Sequence, residues 1–177
     1  NLRAGETDKL FDTAAVTYNK GGVVLHMLRE KVGDDNFWKA LNTYLNRHKF
    51  GSVETTDLIK AMEETSGQEL DWFFDQWVYG TGYPKLDVKR VYSARKKTLT
   101  LTVTQTQKID PLIPSAFKLP VDLEIKTAHG TTSQKINIAK RVQVFTIKVD
   151  AKPTATTFDP DGKLVLMTVK QRPLAAI

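Results

Sequence analysis

Two hydrophobic periodicities divide the chain. After "YNKGG", Val23, Val24, Leu25, Met27, Leu28 and Val32 leave only a narrow polar strip at His26, Arg29, Glu30 and Gly33. A helix apolar over most of its circumference belongs inside a larger body. In "GDDNFWKALNTYLNRHKF", Phe37, Trp38, Leu41, Tyr44, Leu45 and His48 follow one helix face, with Asp34 or Asp35 placed to cap its start. A third helix is expected from about residue 56 to 65, with Asp57 in its first turn and Gly67 at its end. The fourth, "LDWFFDQWVYG", repeats Leu70, Phe73, Phe74 and Trp77 at i, i+3, i+4, i+7. "GTGYP" stops it, since Gly accepts left-handed turns and Pro84 cannot extend a helix.

From Lys85 the period drops to two. Leu99, Leu101 and Val103 alternate with threonines; Phe117, Leu119, Val121, Leu123 and Ile125 alternate with mostly polar residues. "AHG" and "DPDG" supply turns. Strands are expected near 85–92, 98–106, 117–126, 131–138, 142–149, 154–158 and 163–170. In "VQVFTIKV" the phase slips between Val144 and Phe145, which predicts a bulge there. The expected fold class is therefore α+β in two modules, helices over 1–84 and an antiparallel immunoglobulin-like β-sandwich over 85–177.

Composition narrows the chemistry. At 177 residues the chain is long enough to bury a core without staples, and with no cysteine it has neither disulfides nor thiolate metal sites. No stretch approaches the roughly 18 consecutive apolar residues of a membrane helix. Residues 1–84 carry 9 Lys/Arg against 13 Asp/Glu, net −4, and residues 85–177 carry 17 against 7, net +10. Such asymmetry marks two modules with different surroundings. It does not by itself make the second a nucleic-acid binder, which would add aromatic stacking platforms. Of the aromatics beyond residue 84, Tyr92, Phe117, Phe145 and Phe158, several fit core phase. "RKK" at 95–97 reads as a solvated turn between strands.

Few side chains offer reactive constellations. His26 and Glu30 stand one turn apart, but His26, His48 and His129 lack the two-histidine spacing of a zinc-binding helix face, and no metal site is expected in this chain. His48 closes a helix and His129 occupies a hairpin turn. "NKGG" is no phosphate loop, because Lys20 precedes its glycines. Trp72, Phe73, Phe74 and Trp77 read as core. Tyr18 has two readings: a ring packed at a helix start with its hydroxyl satisfied, or a phenol facing a reaction.

The order of "TYNKGGVVLHMLREKVG", "FWKALNTYLNRH", "TTDLIKAMEETSG" and "LDWFFDQWVYGTGYPKLDV", followed by a sheet, resembles the zinc aminopeptidases of the aminopeptidase N and leukotriene hydrolase family. Tyr18, Lys20 and Gly21 match the family's Tyr-x-Lys-Gly element, and Gly82 and Pro84 its Gly-x-Pro exit into the sandwich domain. The resemblance implies that residues 1–84 are the helical tail of a thermolysin-like catalytic domain and 85–177 an immunoglobulin-like sandwich. It implies that Tyr18 donates a hydrogen bond to the oxyanion formed when zinc-bound water attacks a peptide carbonyl.

The family's His-Glu-x-x-His helix, its glutamate ligand and its glycine-rich exopeptidase motif are absent from the chain. In the family they precede the tyrosine, so the resemblance places them upstream of Asn1. The expectations that follow are a peptide substrate and zinc in the parent enzyme, and neither zinc nor activity in this fragment alone. A missing upstream catalytic domain should leave some of the apolar faces around Val23, Val24 and Leu28 exposed or covered by another copy, with self-association through residues 1–45. The alternative is a non-catalytic interaction module built on the sandwich.

Overall fold

A computed structural model of the protein describes the backbone from Ala15 to Ile177 and the side chains from Tyr18 onward. The chain forms two compact units, one up to Tyr79 and one from Gly80 to Ile177.

In the first unit a π-helical turn, Ala15–Lys20, runs directly into α1 (Gly21–Val32). Val24, Met27, Leu28 and Val32 form the buried stripe of α1, and Phe37 and Ala40 that of α2 (Asp34–Arg47). The break between them is Gly33 alone, whose φ of 85° lies where a Cβ is disfavoured. Gly33 also caps the start of α2, which corrects the expectation that Asp34 or Asp35 does so. The Asp34 carboxylate is engaged by Arg29 of α1, whose Nε donates at 2.8 Å and whose second nitrogen donates to the other oxygen. That guanidinium holds the Asp34 carboxyl below the usual carboxylate range.

The next helix, α3 (Thr55–Ser66), has Asp57 in its first turn, where its carboxylate accepts the Glu54 N–H at 2.9 Å; Gly67 ends it in the left-handed region. Arg47 of α2 donates to both carboxylate oxygens of Glu64 on α3. The 3.6-residue spacing of "LDWFFDQWVYG" predicts one continuous helix, but the structure holds a single α turn, α4 (Asp71–Phe74), and then a second π-helical turn, Asp75–Tyr79. The wider turn buries Gln76 beside Trp77 and leaves Val78 and Tyr79 exposed. Among the described residues no helix is long and apolar enough to cross a membrane.

The second unit has two sheets. One orders its strands β5-β2-β1-β7, the other β4-β3-β6. Strands are β1 (Lys85–Ser93), β2 (Thr98–Gln105), β3 (Leu119–Thr127), β4 (Gly130–Ile138), β5 (Val142–Lys148), β6 (Ala155–Phe158) and β7 (Thr168–Ala176). All pairs are antiparallel except β1 with β7. The period-two pattern places Leu86, Val88, Leu99, Leu101, Val103, Leu119, Val121, Leu123 and Ile125 in the core.

Three details depart from the pattern. Between β2 and β5 the register is continuous, so the slip at Val144 is no bulge: Val142 and Val144 are exposed on the outer face, while Phe145 and Ile147 point the other way, half-buried. The register break lies between Val88 and Arg90, where β1 meets β7. The last strand starts at Thr168 rather than near 163, because the Asp159 carboxylate accepts the N–H groups of Lys163 and Leu164 and closes that segment into a turn.

Gln105 and Gln107 hold the connection from β2 to β3. Gln105 is fully buried; its Oε1 accepts the Phe117 N–H at 2.8 Å and its Nε2 donates to the Phe117 carbonyl at 2.9 Å. Gln107 donates to Gln105 Oε1 at 3.2 Å, and Arg141 donates to the Gln107 carbonyl at 2.7 Å. In the same connection the Leu112 carbonyl accepts both the N–H and the hydroxyl of Thr81. Gly82 must be glycine: its φ is 76°, and a Cβ there would meet the Ile113 side chain at 3.2–3.3 Å.

Candidate functional site

Tyr18 sits within the first π-helical turn, and its side chain is 62% exposed. Two residues later Lys20, followed by Gly21, reaches the rim of a cleft of about 580 Å³ in the helical unit. Its apolar wall comes from every helix of the unit: Val24, Leu25 and Leu28 of α1, Tyr44 of α2, Leu58 of α3, Phe74 of α4. Trp77 and Val78 of the second π-helical turn complete it, and Glu54 and Thr55 add polar groups. Both π-helical turns among the described residues thus border one cleft. Gly21 and Gly22 are exposed on the first turn of α1, and a Cβ on either would meet nothing within 4 Å.

The other sequence candidates lie apart from this arrangement. His26 and Glu30 are exposed on α1, and among the described residues no three His, Cys, Asp or Glu side chains gather as a metal site. His48 terminates α2, its N–H on the Tyr44 carbonyl at 3.1 Å. His129 stands in the β3–β4 turn with Nδ1 3.1 Å from Asp150. The shifted carboxylates of the helical unit are Asp34 and Glu64, each held down by its arginine and neither lining the cleft. Tyr92, Phe117 and Phe158 are buried and Phe145 half-buried.

Of the three residues named for exposure, Val24 and Leu28 are buried, 7% and 1% exposed, and Val23 is half-buried. Exposed apolar groups of the unit include Leu25 beside them, Trp38, Leu45, Phe50, Val53, Val78 and Tyr79. Residues 1–14, part of the expected self-association surface, lie outside the described residues. What the sequence did not reveal was the cleft itself, since Leu58, Trp77 and Val78 converge only once the helices pack. The π-helical turns also have no signature in a 3.6-residue pattern.

Against known proteins, residues 2–77 match the Peptidase family M1 domain. Aminopeptidase 2 of Candida albicans is 30% identical over 134 residues, 76% of this chain and 14% of that protein. Aminopeptidase N of Lactococcus lactis subsp. lactis is 38% identical over 102 residues, 58% of this chain and 11% of that protein. The crystal structure of Legionella pneumophila aminopeptidase A in complex with aspartic acid matches 91% of this chain and 18% of that one, with a TM-score of 0.73 at 16% identity, which shows a common fold. The chain belongs to the M1 aminopeptidase family as a fragment, spanning 14% and 11% of the length of the two relatives.

Proposed function

We propose that this chain is part of a zinc-dependent metallo-aminopeptidase that removes N-terminal residues from peptides, and that Tyr18 stabilises the oxyanion of the reaction. In this reading residues 1–84 are the helical tail of a thermolysin-like catalytic domain and residues 85–177 an immunoglobulin-like sandwich. The observation that carries it is the exposed Tyr18 phenol in the turn that leads into α1, inside the segment that matches the M1 domain. When a peptide carbonyl turns tetrahedral its oxygen gains negative charge. A neutral phenol fixed beside that oxygen donates a hydrogen bond that strengthens as the charge develops.

The described residues do not fit zinc, since they bring no three ligating side chains together. The fragment alone has one donor and no described group to generate a nucleophile, so it is inactive by itself. Its partners are the peptide substrate and the remainder of the catalytic domain, with self-association through the exposed Trp38, Leu45 and Phe50 as the fragment's own tendency.

The test is Tyr18→Phe in the full-length protein encoded by the reading frame that contains this chain. Losing one oxyanion donor lowers kcat by about 10²–10³. KM, thermal midpoint and bound zinc should stay nearly unchanged. A kcat within about threefold of wild type, far short of an oxyanion donor's cost, would remove Tyr18 from catalysis. The wild-type 177-residue chain, dialysed against zinc-free buffer, serves as control and should not cleave aminoacyl amides.

A further inference from the structure

Tyr18 is not carried on an α-helix. It lies inside the π-helical turn Ala15–Lys20, which passes without a break into α1 at Gly21. A π turn closes its hydrogen bonds from i to i+5, so it holds one residue more than the α turn it replaces, and such turns concentrate at functional sites. The second π-helical turn, Asp75–Tyr79, borders the same cleft through Trp77 and Val78. The first turn is not explained by capping: α1 has no side-chain cap, and Lys20 at its start is in helical geometry. Nor does steric crowding at the junction account for the first turn, since Gly21 and Gly22 have open space around them.

We propose that the extra residue of the first turn is a positioning device, which sets the direction of the Tyr18 hydroxyl relative to α1 and the cleft. This inference rests on the catalytic reading of Tyr18. One residue of an α-helix corresponds to about 100° of rotation and about 1.5 Å of rise. Removing one residue between Tyr18 and α1 closes the π turn into an α turn, in which Tyr18 stands two residues and not three before Gly21 and its side chain leaves the helix axis in a different direction. An oxyanion donor works only within hydrogen-bond distance of the developing charge, so this misplacement removes its contribution. Asn19, exposed and outside the cleft lining, acts here through Tyr18 and not on the substrate.

The experiment is a double-mutant cycle in the full-length protein: wild type, Tyr18→Phe, deletion of Asn19, and the two combined. The deletion should lower kcat by the factor that Tyr18→Phe does, about 10²–10³, with KM and thermal midpoint close to wild type. The combined variant should be no slower than either alone, because both remove the same interaction. If Tyr18→Phe is costly while the deletion keeps kcat, or if the two losses multiply, the positioning role is overturned and the catalytic reading stands. If Tyr18→Phe is itself silent, both fall. Should the deletion variant not fold, insertion of one alanine between Asn19 and Lys20 makes the same test from the other side. Failure of both to fold overturns the proposal, since the length of the turn would then serve stability and not aim.

Discussion

In the sheet unit the strand pattern is carried through to complete burial: Val88, Leu99, Leu101, Val103, Val121 and Leu123 are each 0% exposed. In the helical unit the inward stripe is buried as well, yet Trp38 remains 55% exposed, Leu45 63% and Phe50 fully exposed. The polar groups differ in the same sense. Gln105 and Gln107 are satisfied within the sheet unit by six hydrogen bonds to one another, to the β2–β3 connection and to its neighbours. The helical unit presents a cleft of about 580 Å³ and an exposed phenol. Both units leave apolar side chains in solvent, Ile109, Leu112, Val142, Val144 and Val165 in the sheet unit among them, so the cleft and the exposed phenol set the helical unit apart. The segment that matches the M1 domain, residues 2–77, is the one that carries them.

The largest expected effect sharpens that contrast. All three tryptophans, Trp38, Trp72 and Trp77, belong to the helical unit, so their fluorescence reports on it, while hydrogen exchange at the backbone amides of β2 and β3 follows the sheets. Leu101→Ala removes a fully buried side chain and should destabilise the sheet unit by about 2–5 kcal/mol. Leu45→Ala, on the exposed face of α2, should move the tryptophan-reported transition by no more than about 0.5 kcal/mol. Urea titrations of the 177-residue chain read by both probes check this. A Leu45→Ala cost as large as that of Leu101→Ala would break the contrast.

A middle-sized effect belongs to the buried amides. Gln105→Leu keeps the bulk of the side chain but leaves the Phe117 N–H and carbonyl without their partner at a site closed to water. A buried group left unsatisfied costs about 1–3 kcal/mol. Hydrogen exchange at the Phe117 amide should accelerate in the variant, and unchanged exchange with unchanged stability would show that the connection is held by something else.

How much of this was legible in the sequence follows the same division. Strand phase was legible because alternation in a sheet records burial residue by residue, so "TLTLTVT" and "FKLPVDLEI" place their core positions directly. What escaped was long-range. Thr168 pairs with β1 because Asp159 folds the preceding residues away, a contact no local window contains. In the helical unit the inward stripe of α1 was legible, but not the cleft that Leu58, Phe74 and Trp77 form with Val24 and Leu28. Tyr18 was legible only through its surroundings in the order Tyr-x-Lys-Gly; a single tyrosine has no periodicity. The π-helical turn that carries it was not legible at all, because one extra residue in a turn leaves no mark on composition.

The smallest expected effect is electrostatic and comes from the sheet unit. Asp122 on β3 accepts a hydrogen bond from Lys163 Nζ at 2.8 Å, and Lys163 also lies 3.2 Å from Asp161. The lysine's hydrogen bond is the main reason that the Asp122 carboxyl titrates below its ordinary value in the folded chain. A carboxylate with a depressed folded pKa contributes stability that is fully present above its unfolded value, about 3.9, and is lost as pH falls through the folded value. Lys163 has the opposite displacement, raised above the usual lysine range by Asp122 first and Asp161 second. Its contribution is complete below the unfolded lysine value of about 10.4 and fades as pH rises through the folded one. Asp122→Asn removes the charge but keeps the shape. Wild type and variant should therefore differ most between about pH 5 and pH 9, inside the window those two reference values bound. Their stabilities should converge toward about pH 2, where the native carboxylate is itself protonated. Because Lys163 is substantially solvated, the difference should be smaller than that of Gln105→Leu and should shrink further with added salt. Thermal melts of the 177-residue chain across this range, at low and high ionic strength, measure it. A difference that persists undiminished at low pH would mean that Asp122 contributes by packing, and that in this unit even the ion pair is part of the core.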